Sequence, residues 1–115
     1  MDQPTALLVS LAIEVPVVLL ATRRLAEPRP TAVAWTQAAL AATMMTHPVA
    51  WWLNSAGLTM LAPMLRLLCI EAAVAVAEGA LYGWLCRRPL MGLGVSLVAN
   101  GASFGIGLLW FRYVG

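Results

Sequence analysis

Four stretches of mostly apolar residues, near 4–22, 32–54, 62–86 and 89–112, fill almost the whole chain and leave only short polar breaks between them. A helix needs about 20 such residues to cross the hydrocarbon of a bilayer, and each stretch is of that order. The breaks carry turn chemistry: "TRRLAEPRP" at 22–30, "NSAG" at 54–57 and "CRRP" at 86–89. Connections this short make successive helices antiparallel neighbours. The expected fold is therefore all-α, a single four-helix membrane bundle with no room for a soluble domain.

Composition points the same way. Hydrophobic residues make up 62% of the 115 residues and charged ones 10%, with a mean hydropathy of +0.85. A soluble domain of this size would be roughly 25% charged and could not hide so much apolar surface. The first stretch lacks the basic flank and small-residue cleavage site of a secretory signal, so it is expected as a retained helix. The basic residues are seven arginines, dispersed rather than gathered in a stripe, which argues against nucleic acid as a partner. Cys69 and Cys86 lie 17 residues apart in one stretch, too far along a helix for a disulfide. No CxxC or Cys/His cluster supports a metal.

Orientation follows from the arginines. Arg23, Arg24, Arg29, Arg87 and Arg88 fall on one side, Arg66 and Arg112 on the other. The positive-inside rule then places both termini outside and the 22–31 and 86–89 loops in the cytoplasm. Trp35 and Trp84 are expected at the cytoplasmic interface, and Trp51, Trp52, Trp110 and Tyr113 at the outer one. Small-residue ladders suited to close helix packing run through Ala34-Ala38-Ala42, Ala75-Gly79-Gly83, Ala99-Ser103-Gly107 and Gly101-Gly105.

The polar residues inside the stretches carry the functional signal. They are Ser10 and Glu14; Thr36, Thr43, Thr46, His47 and Asn54; Glu71, Glu78 and Tyr82; and Ser96, Asn100 and Ser103. Most recur at helical steps of three, four or seven, which keeps them on one face. Four such stripes can face one another only along the bundle interior. Counting from the helix ends gives an outer layer of His47 and Glu71 and a central layer of Glu14, Glu78 and Asn100. Arg66, near the rim, is placed either to neutralise Glu71 or to snorkel outward. A charge at the bilayer centre costs roughly 2.5–3.5 kcal/mol, so three glutamates are a heavy load for packing alone. A carboxyl in its neutral form donates one hydrogen bond and can exchange a proton, and His47 titrates near neutral pH by nature. Pro48 frees a carbonyl in the Met44–Met45 turn, which Thr43 and Thr46 are placed to satisfy, and Pro16 does the same in the first helix.

These observations favour a small polytopic protein that binds or conducts protons or small cations along Glu14, His47, Glu71, Glu78 and Asn100, coupled to transport. Ser10, Thr43, Thr46, Tyr82 and Ser103 support that seam. An accessory subunit of a respiratory or photosynthetic membrane complex is the alternative. A narrow four-helix interior implies a homo-oligomer or other membrane subunits. No cofactor is expected; an axial haem or chlorophyll ligand at His47 is the runner-up. A di-iron bundle is excluded by the missing Glu-x-x-His repeat, and an enzyme by the lack of a nucleophile–base pair.

Four helices and a glutamate in the first are superficially similar to the small multidrug resistance transporters. That family's Trp- and Gly-containing third-helix motif is absent here, so its function is not carried over. Glu14, "THP" at 46–48, the Glu71/Glu78 pair and "SLVANGASFGIG" at 96–107 together resemble an uncharacterised family of small four-helix bacterial membrane proteins. That resemblance spans nearly the whole chain. It implies the helix count, these positions and a bacterial inner-membrane location, and no activity.

Overall fold

The helices start and stop where local chemistry dictates. In the computed structural model, which describes residues 3–23 and 30–113 apart from the side chains of Trp110 and Phe111, α1 spans Gln3–Thr22. Its last residue, Thr22, donates its hydroxyl to the Val18 carbonyl at 2.8 Å. Helix α2, Ala32–Trp52, opens on Thr31, whose backbone is extended and whose side-chain oxygen accepts the Ala34 N–H at 3.1 Å. That is a standard N-cap, satisfying one of the four donors a helix leaves free. Helix α3, Pro63–Cys86, begins on a proline, whose missing N–H costs nothing in the first turn. It ends at Arg87, held in the left-handed region at φ 58°, while the Arg88 N–H reaches back to the Gly83 carbonyl at 3.0 Å. This is a Schellman closure, with arginine where glycine is usual. Helix α4, Pro89–Tyr113, follows at once.

The "NSAG" break is not a simple turn. Residues Leu53–Gly57 continue α2 as one π-helical turn, with the Leu58 N–H bonded to the Leu53 carbonyl at 2.8 Å. The wider winding is a common way to absorb an extra residue in a helix.

Among the described residues the helices form a four-membered ring. Helix α1 packs on α2 and α4, α3 packs on α2 and α4, and the diagonal pairs make no close backbone approach. The result is a four-helix all-α bundle 44 Å long. The tightest pair is α3 with α4, and glycine explains it. A Cβ on Gly92 would lie 2.0 Å from the Gly83 nitrogen, and one on Gly79 would lie 3.0 Å from the Leu93 Cα. The α3 ladder of Ala75, Gly79 and Gly83 is thus a packing seam, as its spacing suggests. The α4 partner face is different from the expected one. Gly92, Ser96, Ala99 and Asn100 face inward, whereas Gly101, Gly105 and Gly107 meet nothing within 4 Å.

Large apolar side chains are exposed on every helix, among them Leu20, Met45, Val76 and Leu97. Two helices, α1 and the Pro89–Leu109 part of α4, are long and apolar enough to cross a membrane. Helices α2 and α3 are not among them. The expected positions of Arg24, Arg29, Trp110 and the two termini lie outside the described residues or side chains.

The main cluster of buried apolar residues lies in one half of the bundle. Val18, Trp35, Ala39, Ala42, Tyr82, Val95 and Ala99 pack together at the end that holds the α3–α4 hairpin. Trp35 therefore leaves its expected place in an interfacial belt. Its indole is buried edge-on against the Tyr82 ring, with centroids 5.7 Å apart. Trp84 and Tyr113 are exposed, as interfacial residues would be.

Candidate functional site

A polar layer sits where the apolar core ends. Thr43 is near the midpoint of α2, Glu14 near that of α1 and Asn100 near that of α4, so the three meet at one level. Glu14 and Glu78 are 4% and 1% exposed, and Ser96 and Asn100 are buried with them. The four-helix geometry brings these residues together because each follows its own helix's buried stripe.

The hydrogen bonds link all four helices. The Thr43 hydroxyl donates to Glu14 Oε2, joining α2 to α1. One turn further along α2, Thr46 Oγ1 lies 3.0 Å from Glu78 Oε2, joining α2 to α3. On its other oxygen, Glu78 accepts from Asn100 Nδ2 at 2.7 Å, joining α3 to α4. The Asn100 amide also reaches the Ser96 carbonyl and hydroxyl, at 2.9 and 3.2 Å. Ser96 in turn donates to the Ala75 carbonyl at 2.7 Å. Neither carboxyl forms an ion pair among the described residues, though they lie close enough for their charges to act on each other. Polar groups removed from water need partners, and here threonine and asparagine supply them in place of a cation.

Thr46 has a property the others lack. Its oxygen is 2.9 Å from the Ala42 carbonyl as well as 3.0 Å from Glu78. A hydroxyl has one proton to donate and two lone pairs to accept with. With Glu78 ionised, Thr46 donates to it. With Glu78 neutral, the acid donates to Thr46, and Thr46 turns its proton to Ala42. Both states fit the same heavy-atom positions.

These bonds also correct the expectation for Pro48. Thr43 and Thr46 serve Glu14, Glu78 and the Ala42 carbonyl rather than a carbonyl freed in the Met44–Met45 turn. Ser96, which closes the network from α4, is fully buried and does more than its spacing alone suggested.

The remaining candidates are placed differently. Tyr82 is fully buried, yet its hydroxyl has no hydrogen-bond partner among the described residues, so it belongs to the aromatic core and not to the hydrogen-bonded layer. Thr36 bonds back to the Ala32 carbonyl of its own helix at 2.8 Å. His47 is half-buried beside Trp51 and bonded to the Gln3 backbone, its Nε2 has no partner among the described residues, and it is bonded to neither Glu14 nor Glu71. The expected His47–Glu71 layer does not form, because His47 lies one position past Thr46 and turns toward the start of α1. Arg66 does not neutralise Glu71 either; its guanidinium donates to the Asn54 carbonyl at 2.7 Å and so ties α3 to the π turn.

Glu71 is half-buried and forms no hydrogen bond among the described residues. With Ser10 and Ser103 it lines a cavity of about 240 Å³ between α1, α3 and α4, in the half of the bundle away from the main apolar cluster. Among the described residues no group of His, Cys, Asp and Glu is arranged to hold a metal ion. Both cysteines are free thiols.

No family model, no curated protein and no solved structure matches this chain. What defines it is a four-helix bundle with two buried carboxyls, each bridged to threonine at the centre.

Proposed function

We propose that the chain is an integral membrane protein of the bacterial inner membrane, multi-pass with both termini outside. In this reading the Glu14–Glu78 layer binds and releases a proton or small cation as part of transport. The exposed apolar side chains on all four helices support the membrane setting, since a bilayer is the solvent that tolerates them. Ionisable residues in such a setting mark ion or proton sites by default.

The single observation that carries the reading is the Thr46 bridge. A carboxyl that only fastened helices would need one fixed partner. Glu78 instead has a hydroxyl that donates to the ionised form and accepts from the neutral one, with no heavy atom moved. Asn100 holds the other oxygen throughout.

The asymmetric packing favours a carrier over an open pore. The main buried apolar cluster lies in the half with Trp35 and Tyr82, and Glu71 lies in the other half, where it lines a cavity. An ion reaching Glu78 from the Glu71 side would leave on the other side only after the aromatic core moves.

An accessory role in a larger complex has one observation in its favour. Gly94, Gly101 and Gly105 on α4 meet nothing within 4 Å, and open glycines suit a neighbouring helix.

Flux measured in proteoliposomes tests the proposal. The protein is expected to dissipate a proton or sodium gradient, and Glu78→Gln to slow it at least tenfold. Absence of flux under proton, sodium and potassium gradients would overturn it.

A further inference from the structure

The cavity between α1, α3 and α4 has a chemistry of its own. Ile13, Leu67 and Phe104 are among the apolar residues of its wall, and its polar side chains are Ser10, Glu71 and Ser103. Every other glutamate in the described bundle is hydrogen-bonded. Glu71 is not, although it is half-buried and near enough to Glu78 for their charges to interact. Arg66, the nearest cation along α3, is committed to Asn54. An apolar pocket with a few convergent polar groups is the usual form of a small-molecule site, and here the unpaired group is an acid.

We infer that this cavity binds a lipophilic primary amine, its ammonium on Glu71 and its apolar body against Ile13, Leu67 and Phe104. This deepens the reading above, because it names the substrate class of a site next to the proton-binding layer. The charge favoured is positive, since ionised Glu71 has no cation of its own among the described residues. The head group is a primary ammonium, since three N–H donors match one carboxylate and two serine hydroxyls. The size is that of about ten heavy atoms, because about 240 Å³ is below the roughly 300–1,000 Å³ range of pockets for drug-sized ligands.

Calorimetric titration of the full chain in phosphatidylcholine nanodiscs with phenethylammonium tests this. The wild type is expected to bind, and the N-trimethyl analogue to bind at least tenfold more weakly. Glu71→Gln should lose at least tenfold; it removes no hydrogen bond, so the fold is expected to survive. Gly107→Leu is an independent variant. It adds bulk at a position lining the cavity where a Cβ meets nothing within 4 Å, and it should block binding while leaving the helical spectrum and melting temperature unchanged. Ser10→Ala with Ser103→Ala should reduce the primary-over-quaternary preference to under threefold. Equal binding by wild type and Glu71→Gln, or by the two amines, would overturn the inference, as would loss of binding in nanodiscs rich in phosphatidylethanolamine. Glu71-dependent binding by a protein that shows no ion flux would sustain this site and refute only the transport reading.

Discussion

Thr46 on α2 and Glu78 on α3 stand 3.0 Å apart, oxygen to oxygen, and the same threonine oxygen is 2.9 Å from the Ala42 carbonyl. This places a carboxyl beside a group that serves it in either protonation state. Thr46→Val keeps the shape and removes the hydroxyl, leaving Glu78 Oε2 without its bond. Interhelical hydrogen bonds in membrane proteins average about 0.6 kcal/mol and reach about 1.7. A double-mutant cycle of Thr46→Val with Glu78→Gln, read by reversible unfolding in mixed micelles, is expected to give a coupling in that range. Thr46→Ser should restore both stability and flux.

The α3–α4 hairpin makes a sharper stability prediction. In Gly92→Ala the new carbon would fall 2.0 Å from the Gly83 nitrogen and 2.3 Å from its Cα, both backbone atoms that cannot rotate away. The helices must separate, and overpacking of this kind costs about 1–3 kcal/mol or more. Gly101→Ala meets nothing within 4 Å and should be neutral or gain up to about 1 kcal/mol from helix propensity. Melting temperatures of the two variants, compared side by side, check the contrast.

The aromatic pair separates packing from polarity. The Tyr82 hydroxyl is buried without a hydrogen-bond partner among the described residues. Tyr82→Phe should therefore leave stability unchanged or raise it, since an unsatisfied buried group is a cost. Trp35→Ala removes the ring that Tyr82 packs against and should lose about 3–5 kcal/mol. Denaturant unfolding of both variants reads the difference.

His47 provides a negative prediction. Its ring lies beside Trp51, is not bonded to either central carboxyl, and has an unpartnered Nε2. His47→Asn is expected to keep wild-type flux within a factor of two, with a stability change of about 1 kcal/mol or less from the bond to the Gln3 backbone. Flux assays on the same proteoliposome preparation check it.

Much of this arrangement is legible in the residues themselves. Apolar length sets the four helices, and the four- and seven-residue steps put Glu14, Thr43, Glu78 and Asn100 on converging faces. Helical period fixes a face, not what it meets. Hence Gly101 and Gly105 read as a packing seam, whereas the seam is Gly92 and Ser96, which only the tight Arg87 turn brings against Gly83 and Gly79. Trp35 reads as interfacial from its place near a helix end, and it is drawn inward because the small residues Ala39 and Ala42 leave room beside it. The π turn after Trp52 and the commitment of Arg66 to Asn54 depend on backbone geometry that no side-chain pattern records.

Infrared difference spectroscopy of the protein in lipid tests the central claim most directly, because the carbonyl stretch of a neutral carboxyl is distinct from the carboxylate bands. A band that responds to pH, vanishes in Glu78→Gln and shifts in Asn100→Ala is the predicted result. A carboxyl spectrum indifferent to pH, or unchanged by Glu78→Gln, would contradict the account.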